Sequence, residues 1–446
     1  MDAYRGNLLA GKVTCEERTR AELSNIEAYN GKFNAFVTVF SGDRGLALSR
    51  ARELDARLAS STAGRVPALL GVPVTIKDNA FFSGFPTTNG SLSFREFVPS
   101  TNAEIVDLLL GAGCVPLGKT NLHEHALGAT STSALGGPIR NPADSSRISG
   151  GSSGGSAVSV AASKGPLVSV GSDTGGSVRI PAALCGVCGF KPSQGLLSTD
   201  GVFPLSPSLD HVGLLTKTVS DMSIAFRAIT GPGAPAKERP VLGVPTRYFT
   251  EDMDETVSKD FMGALDTLRR SEGFDVRDVK TEESYARYSR ARATIMCREA
   301  AWFYEDLLRS PKSRRTMHSD VLALMDGGRR TGMIRYMSSM GVRADSIRSM
   351  SRLLDGIDAL IMPTCLIVAP KVDDVVGKET GRIRSLLIRN TELFNLCGLP
   401  ALSLPISSTG SSMPTALQIV GRHRQDDLVV SIAEKIRAAL HSRQRN

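Results

Sequence analysis

Two Gly-Gly-Ser elbows, Gly150-Gly151-Ser152 and Gly175-Gly176-Ser177, lie inside one small-residue stretch from Ile148 to Phe190. Glycine lets a backbone turn at positive φ and approach a ligand with no side chain in the way. Each elbow presents a hydroxyl, and Asp173-Thr174-Gly175-Gly176-Ser177 adds a run of backbone N–H groups. Serine attack on a polarised carbonyl needs such a nucleophile, a base for its proton and donors for the oxyanion. Each well-aimed donor is worth about 3 kcal/mol of barrier. The base is less obvious. None of the six histidines (His123, His125, His211, His318, His423, His441) falls in a G-x-S-x-G arrangement with the elbow serines, so a Ser-His-Asp set gains little support. Lys77 is the other candidate. To act at neutral pH it must fall from about 10.4 to about 7.5, about 4 kcal/mol of differential destabilisation, which apolar burial can supply. Its plain alternative is a surface lysine that follows a strand. Ser152 would then relay the proton between lysine and nucleophile.

These groups need elements to hold them. Leu69 to Ile76 (LLGVPVTI) reads as a buried strand that ends at Lys77, the carboxyl end where α/β sheets place ligands. Ser156 to Ala162 reads as a helix that opens after the first elbow, and Leu167 to Val170 as a strand that feeds the second. Thr101 to Gly111 has a capping threonine, Glu104 three residues on and a glycine stop, which predicts a helix. Cys114 to Leu117, Val241 to Val244, Ala359 to Met362 and Ala401 to Leu404 predict further strands, and Leu428 to Ala439 a closing amphipathic helix. Such alternation predicts an α/β fold with a central mixed, mostly parallel sheet covered by helices on both faces. Residues 1–60 read as a helical segment packed on a core domain of residues 61–446, with Thr14 as a cap and Ile26, Phe33 and Phe36 as an apolar face. Gly231 to Pro240 is the linker candidate. The basic, Met- and Ser-rich stretch 309–352 has no clean period and reads as a helical insertion or cap.

Composition narrows the class. Hydrophobic residues make up 41% of the 446, enough for a large core. The net charge of +8 is spread along the chain and aromatics are only 5%, which speaks against a nucleic-acid stripe. Seven cysteines, an odd number mostly in apolar surroundings, predict reduced thiols and a cytoplasmic compartment. Cys185 and Cys188 have redox or metal spacing but no partner pair, and read as small buried hydrophobes. No signal-like N-terminus and no apolar run of about 18 residues occurs, so a soluble protein without membrane attachment is expected.

The stretches Gly71-Val-Pro-Val-Thr-Ile-Lys77-Asp-Asn79, Gly118-Lys-Thr-Asn-Leu-His-Glu124, Gly150-Gly-Ser-Ser-Gly-Gly-Ser156 and Gly171-Ser-Asp-Thr-Gly-Gly-Ser-Val-Arg179 together resemble the amidase signature family. The resemblance continues through Gly189-Phe-Lys-Pro192, Ser208-Leu-Asp-His211, Phe394-Asn-Leu-Cys-Gly-Leu-Pro400 and Leu417-Gln-Ile-Val-Gly421. It implies the amidase signature fold and an amidohydrolase with a Ser–cis-Ser–Lys triad, an acyl-enzyme and no cofactor or metal. By motif, Ser177 falls at the nucleophile, Lys77 at the general base and Ser152 at the bridging serine. The N–H groups of Thr174, Gly175, Gly176 and Ser177 fall at the oxyanion hole, and Asp173 and Ser153 at supporting positions. Ser153 as a helix N-cap remains equally open. The interval between the elbows is one residue longer than the usual family pattern, which also leaves Ser152 and Ser153 open at the bridge.

The alternative function is the glutaminase (A) subunit of a tRNA-dependent amidotransferase, with its partner subunits. That subunit usually carries Asp-Glu-Phe where this chain has His123-Glu124-His125, and the stretch 231–345 is short here. His125 reads as packing or pocket lining, since positions two apart on a helix face apart. Arg179 reads as an ion-pair partner. The substrate, a small amide, would meet the His123–Leu135 loop, the region Phe203–Leu209 and the 311–350 segment, with Met325, Met333, Met337 and Met340 as an adaptable wall. Arg343 is the cation considered for a substrate carboxylate. A homodimer is the default assembly.

Overall fold

The computed structural model describes every residue except 42–44, 61–65, 234–236, 282–284, 407–412 and 444–446. Among the described residues eleven strands form one sheet. They are β1 (Phe36–Val39), β2 (Pro73–Lys77), β3 (Val115–Thr120), β4 (Val168–Ser172), β5 (Cys188–Lys191), β6 (Val212–Thr216), β7 (Val241–Pro245), β8 (Asp275–Val279), β9 (Ala359–Pro363), β10 (Ala401–Pro405) and β11 (Ala416–Val420). Their spatial order is β1-β3-β2-β4-β6-β5-β10-β11-β9-β7-β8. Every residue of β2, β3 and β4 is buried, which is why their sequences read as unbroken apolar or small-residue runs.

The sheet is mixed and covered by helices, as expected, but it is not mostly parallel. Parallel pairing joins only β2 to β3, β2 to β4, β7 to β8 and β7 to β9; the other six pairings are antiparallel. The reason lies in the connections. Helices Glu104–Gly111 and Glu255–Arg270 carry the chain back between β2 and β3 and between β7 and β8. Between β5 and β6 no helix intervenes, so the chain returns antiparallel.

The N-terminal segment differs in one element. Helix Cys15–Phe33 has a capping box, with Glu17 N–H on Thr14 Oγ1 (3.0 Å) and Thr14 N–H on Glu17 Oε2 (2.8 Å). It stops at Asn34 in the left-handed region, so Phe36 opens β1 instead of extending the helical face. Through β1, which pairs antiparallel with β3, residues 1–60 contribute an edge strand to the sheet. Helix Glu104–Gly111 starts with Ala103 at its N-cap, so Thr101 does not cap it. Residues 234–236 of the linker candidate lie outside the described residues; β7 begins just beyond it.

The stretch without a period is helical: Pro311–Thr316, Ser319–Arg329 and Met333–Leu353. The first two are short and their junctions interrupt any register, which hid the period. With Tyr285–Phe303 they build a second core that includes Ile295, Met296, Met325, Met350 and Phe394. No helix is long and apolar enough to cross a membrane, among the described residues. All seven cysteines are free, and Cys185 and Cys188 are buried, where burial pushes both thiols well above their ordinary range.

Candidate active site

Lys77 ends β2 and Ser172 ends β4, its parallel neighbour, so their side chains meet at the carboxyl edge of the sheet. Lys77 Nζ donates to Ser152 Oγ at 2.7 Å and to Ser172 Oγ at 2.8 Å, with Ser172 O at 3.4 Å. Asn79 Nδ2 donates to the same Ser172 hydroxyl at 3.0 Å. Lys77 is wholly buried. Burial lowers its pKa to about 7, against the more distant pull of Asp173 and Asp210. The adjacent Asp78 does not hold the lysine charged, because it pairs with the buried Lys119 at 3.0 Å and accepts from Thr88 N–H. The ordinary neighbour of a charged lysine is thus spoken for.

The Gly151–Ser152 peptide bond is cis. Ser153, the next residue, turns the other way. Its hydroxyl donates to Ser172 O at 3.1 Å, and its N–H donates to Ser177 O at 3.1 Å. It holds the N-cap position of helix Gly154–Ala162, yet its side chain caps nothing there. Of the two candidates, only Ser152 touches Lys77.

The second elbow is organised by Asp173. Its carboxylate accepts from Gly176 N–H (2.7 Å), Val178 N–H (3.1 Å), Asn395 Nδ2 (2.8 Å) and Arg179 Nε and Nη2 (3.0 and 2.9 Å). Burial alone would raise this carboxyl, but Arg179 holds it well below the usual carboxylate range. Arg179 is itself fully buried and reaches Thr391 O, Gln418 Oε1 and Asn395 Oδ1 at 3.0, 2.8 and 2.7 Å. It is an ion-pair partner, as its place in the sequence suggested. One expectation needs correcting. The Gly176 N–H is committed to Asp173, since the turn at φ 123° folds it back onto that carboxylate, and is not free for an oxyanion. A Cβ at Gly176 would strike the Thr391 hydroxyl, so only glycine fits. Among the described residues, the N–H groups of Thr174, Gly175 and Ser177 donate to no protein acceptor, and the Ser177 hydroxyl has no hydrogen-bond partner.

Two cavities meet here. The first, about 290 Å³, is lined by Asn79, Ser172, Thr174, Phe203, Asp210 and His211 among others. The second is narrow and surrounds Ser177 with Gly128, Ala129, Gly175, Ile180, Arg292, Met296, Arg384 and Ile388. Both include Ala126, Thr174 and Leu205, so they run together. The His123–Leu135 loop and the Phe203–Leu209 region contribute, as expected. The 311–350 segment does not line either cavity: Met325 is core, and Met333 and Met337 are more than half exposed. Its part is indirect. Asp320 accepts from the Ser133 hydroxyl (2.9 Å) and His318 N–H donates to Glu124 Oε2 (2.8 Å), which ties the wall loop to this segment. Arg343 is also elsewhere, bonded to Leu396 O and Gln194 Oε1.

Ser172 was missed in the sequence, although it stands inside the Gly171–Arg179 motif; the parallel register of β2 and β4 is what brings it to Lys77. Arg292 and Arg384 carried no local signal, since distant helices deliver them. His125 packs against Tyr304 and Phe94 with Nδ1 3.2 Å from Asn89 Nδ2, and burial drops its pKa to about 3. His211 lines the first cavity, bonded through Nδ1 to Leu209 O at 2.7 Å and to neither elbow serine. One buried group has the make-up of a cation site: His123 with Asp320 and Glu379, whose ligand atoms lie within 4.8 Å of one another. Asp320 already accepts from Ser133, and Glu379 from the N–H groups of Ala129 and Thr130 (3.1 Å each), so these carboxylates also brace the wall loop.

At the carboxyl edge of the sheet a buried lysine thus faces two serine hydroxyls, beside an elbow with unpaired N–H groups. The amidase family model matches residues 17–430, and the chain belongs to that family. It is an enzyme acting on amide C–N bonds. It is 35% identical to the glutamyl-tRNA(Gln) amidotransferase A subunit of Myxococcus xanthus, over 93% of this chain and 92% of the relative. It is similar to a crystal structure of an amidase, with 32% identity, a TM-score of 0.87 and 99% of both chains covered. The glutamyl-tRNA(Gln) amidotransferase A subunit of Thermotoga maritima superposes with a TM-score of 0.76 at 30% identity, over 95% of this chain and 92% of that one.

Proposed function

We propose that the chain is a stand-alone amidohydrolase in which Ser177 attacks a carboxamide carbon while Lys77 takes its proton through Ser152. The C–N bond then breaks, the leaving ammonia or amine is protonated back along that route, and water hydrolyses the acyl-enzyme. The observation that carries this reading is the 2.7 Å contact between Ser152 Oγ and a lysine whose burial brings it to about 7. A base poised near neutrality is what general-base catalysis requires. The unpaired N–H groups of Thr174, Gly175 and Ser177 suit an oxyanion, and Asp173 and Ser153 support the two elbows. Ser172, with Asn79 behind it, fixes the lysine from the other side. No cofactor enters the scheme, and seven free cysteines fit a reducing cytoplasmic compartment.

The second reading, the glutaminase subunit of a tRNA-dependent amidotransferase, is favoured by the names of the curated relatives. Against it stand the higher TM-score to the amidase structure (0.87) than to the Thermotoga maritima A subunit (0.76) and His123 and His125 in the wall loop. Ammonia release from short amides by the chain alone, followed across pH, tests both. Lysine acts in its neutral form, so kcat/KM rises as pH increases through about 7 and levels above it. Glutaminase activity that appears only with added partner subunits would reverse the choice, and a flat profile through neutrality would remove Lys77 as the base.

A further inference from the structure

A recess of about 490 Å³, larger than the first cavity at the elbow, lies apart from Lys77, Ser152 and Ser177. One side of it is helix Met333–Leu353 with its C-cap, which contributes Arg343, Ile347, Ser351 and Leu354. These positions are four, four and three apart, so they share one helix face. The other side is the turn Cys397–Leu399 with Gln194, and Arg422 and His423 just after β11. Among the described residues no acidic side chain lines this recess.

Arginine has five N–H donors and no acceptor. Arg343 uses Nε on Leu396 O (3.0 Å) and Nη2 on Gln194 Oε1 (2.8 Å). Both partners are neutral, and among the described residues no carboxylate lies within ion-pair distance of this guanidinium. Arg422 Nη2 donates to Leu354 O, and its ion-pair partner, Asp355 at 3.7 Å, is 91% exposed. An exposed pair of that kind compensates little charge. Two guanidinium groups therefore keep unused donors beside an apolar wall of Ile347, Leu354 and Leu399. That concave, half-apolar setting separates them from solvated surface arginines. Gln194 is itself held, since its Nε2 donates to Ser208 O at 2.7 Å. Arg343 is thus braced before any ligand arrives, and docking costs it little side-chain freedom.

We propose that this recess binds a small organic anion with an apolar body, its carboxylate or phosphate head on Arg343 and Arg422. The body lies against Ile347, Leu354 and Leu399. The planar guanidinium fork matches either head with parallel N–H···O bonds. The volume falls within the range of about 300–1,000 Å³ typical of small-molecule sites, which combine an apolar lining with a few convergent polar groups. A bare inorganic ion would leave the apolar wall wet, and a neutral molecule would leave the charged donors unused. The ligand that satisfies both carries a head and a body. This binding is non-covalent and independent of the amidohydrolase reading.

Calorimetry on the full chain tests it, with hexanoate compared with acetate, and phenyl phosphate compared with inorganic phosphate. Hexanoate or phenyl phosphate should bind saturably and about tenfold or more tighter than its bare head, through the apolar area it buries. The tighter of the two identifies the head the site prefers. Arg343→Gln and Arg422→Gln should each weaken that binding by about tenfold or more, the worth of one charge-assisted hydrogen bond. Ile347→Asp, at a position already 41% exposed, should fold normally and abolish binding by setting a carboxylate beside the anion. Affinity unchanged in all three variants places the anion elsewhere and overturns the site. Acetate and inorganic phosphate bound as tightly as the larger probes, or hexanol bound as tightly as hexanoate, would refute the ligand class. No saturable binding of either larger probe overturns the proposal altogether.

Discussion

Ser177→Ala should lower amide hydrolysis by about 10⁶-fold, the scale seen when the nucleophile of a serine hydrolase is removed. Nothing in the fold hangs on the lost hydroxyl, which has no hydrogen-bond partner among the described residues. The backbone of the elbow is held independently: the Ser177 carbonyl accepts from Ser153 N–H, and the Gly176 carbonyl from Ile180 N–H at 2.7 Å. The variant should therefore fold and unfold like the wild type. In the proposed scheme the three groups act as a unit, so adding Ser152→Ala or Lys77→Ala to Ser177→Ala should cost little more, while each alone should be severe. Steady-state rates on one short amide decide this. Residual activity above about 1% in Ser177→Ala would mean that another group attacks.

Lys77→Met should abolish turnover and make the protein more stable at neutral pH. A lysine brought from 10.5 to about 7 carries a penalty of about 5 kcal/mol on its charged form. Methionine fills similar space without charge. Two hydroxyls, on Ser152 and Ser172, then lose a partner, at about 1 kcal/mol or more each, which leaves a net gain of about 1–3 kcal/mol. The sign with pH follows from linkage. Below about 7 both folded and unfolded chains carry the charge and the full penalty applies. Between about 7 and 10.5 only the unfolded chain stays charged, so the wild type recovers stability as pH rises. The advantage of the variant should thus be largest on the acid side and shrink towards pH 10. Denaturant unfolding at several pH values measures it, and an advantage that grows with pH would contradict a buried, neutral Lys77.

The parts of this site legible in sequence were those where one backbone segment carries both the group and its support. The Asp173–Ser177 elbow is such a case: the glycines, the hydroxyl and the organising carboxylate are neighbours in the chain. Lys77 was legible because a continuous apolar run marks β2 and the lysine ends it. Three things were not. The Gly176 N–H looked available because nothing in the order of residues says that Asp173 folds back onto it. The sheet looked mostly parallel because alternating strands and helices suggest crossovers, while the antiparallel pairing of β5 with β6 and of β10 with β11 leaves no periodic mark. Arg292 and Arg384 were hidden because they belong to helices that share their burial between the cavity and a core, the second core for Arg292 and a separate cluster with Leu387 and Ile388 for Arg384. A lone arginine in such a helix has no signature of its own.

The reach of Arg179 has a consequence for when the protein can first work. Its guanidinium is completed by Thr391, Asn395 and Gln418, so the Asp173 elbow is not fully braced until β11 has been made. On the ribosome, at about 5–20 residues per second, the reactive pieces from Lys77 to Ser177 emerge well before their last supports. A nascent chain should then stay inactive until those last supports have been made. Stalled chains ending near residue 380 should be inactive and those released beyond β11 active, and hydrolysis by the shorter set would show that the elbow stands without its late partners.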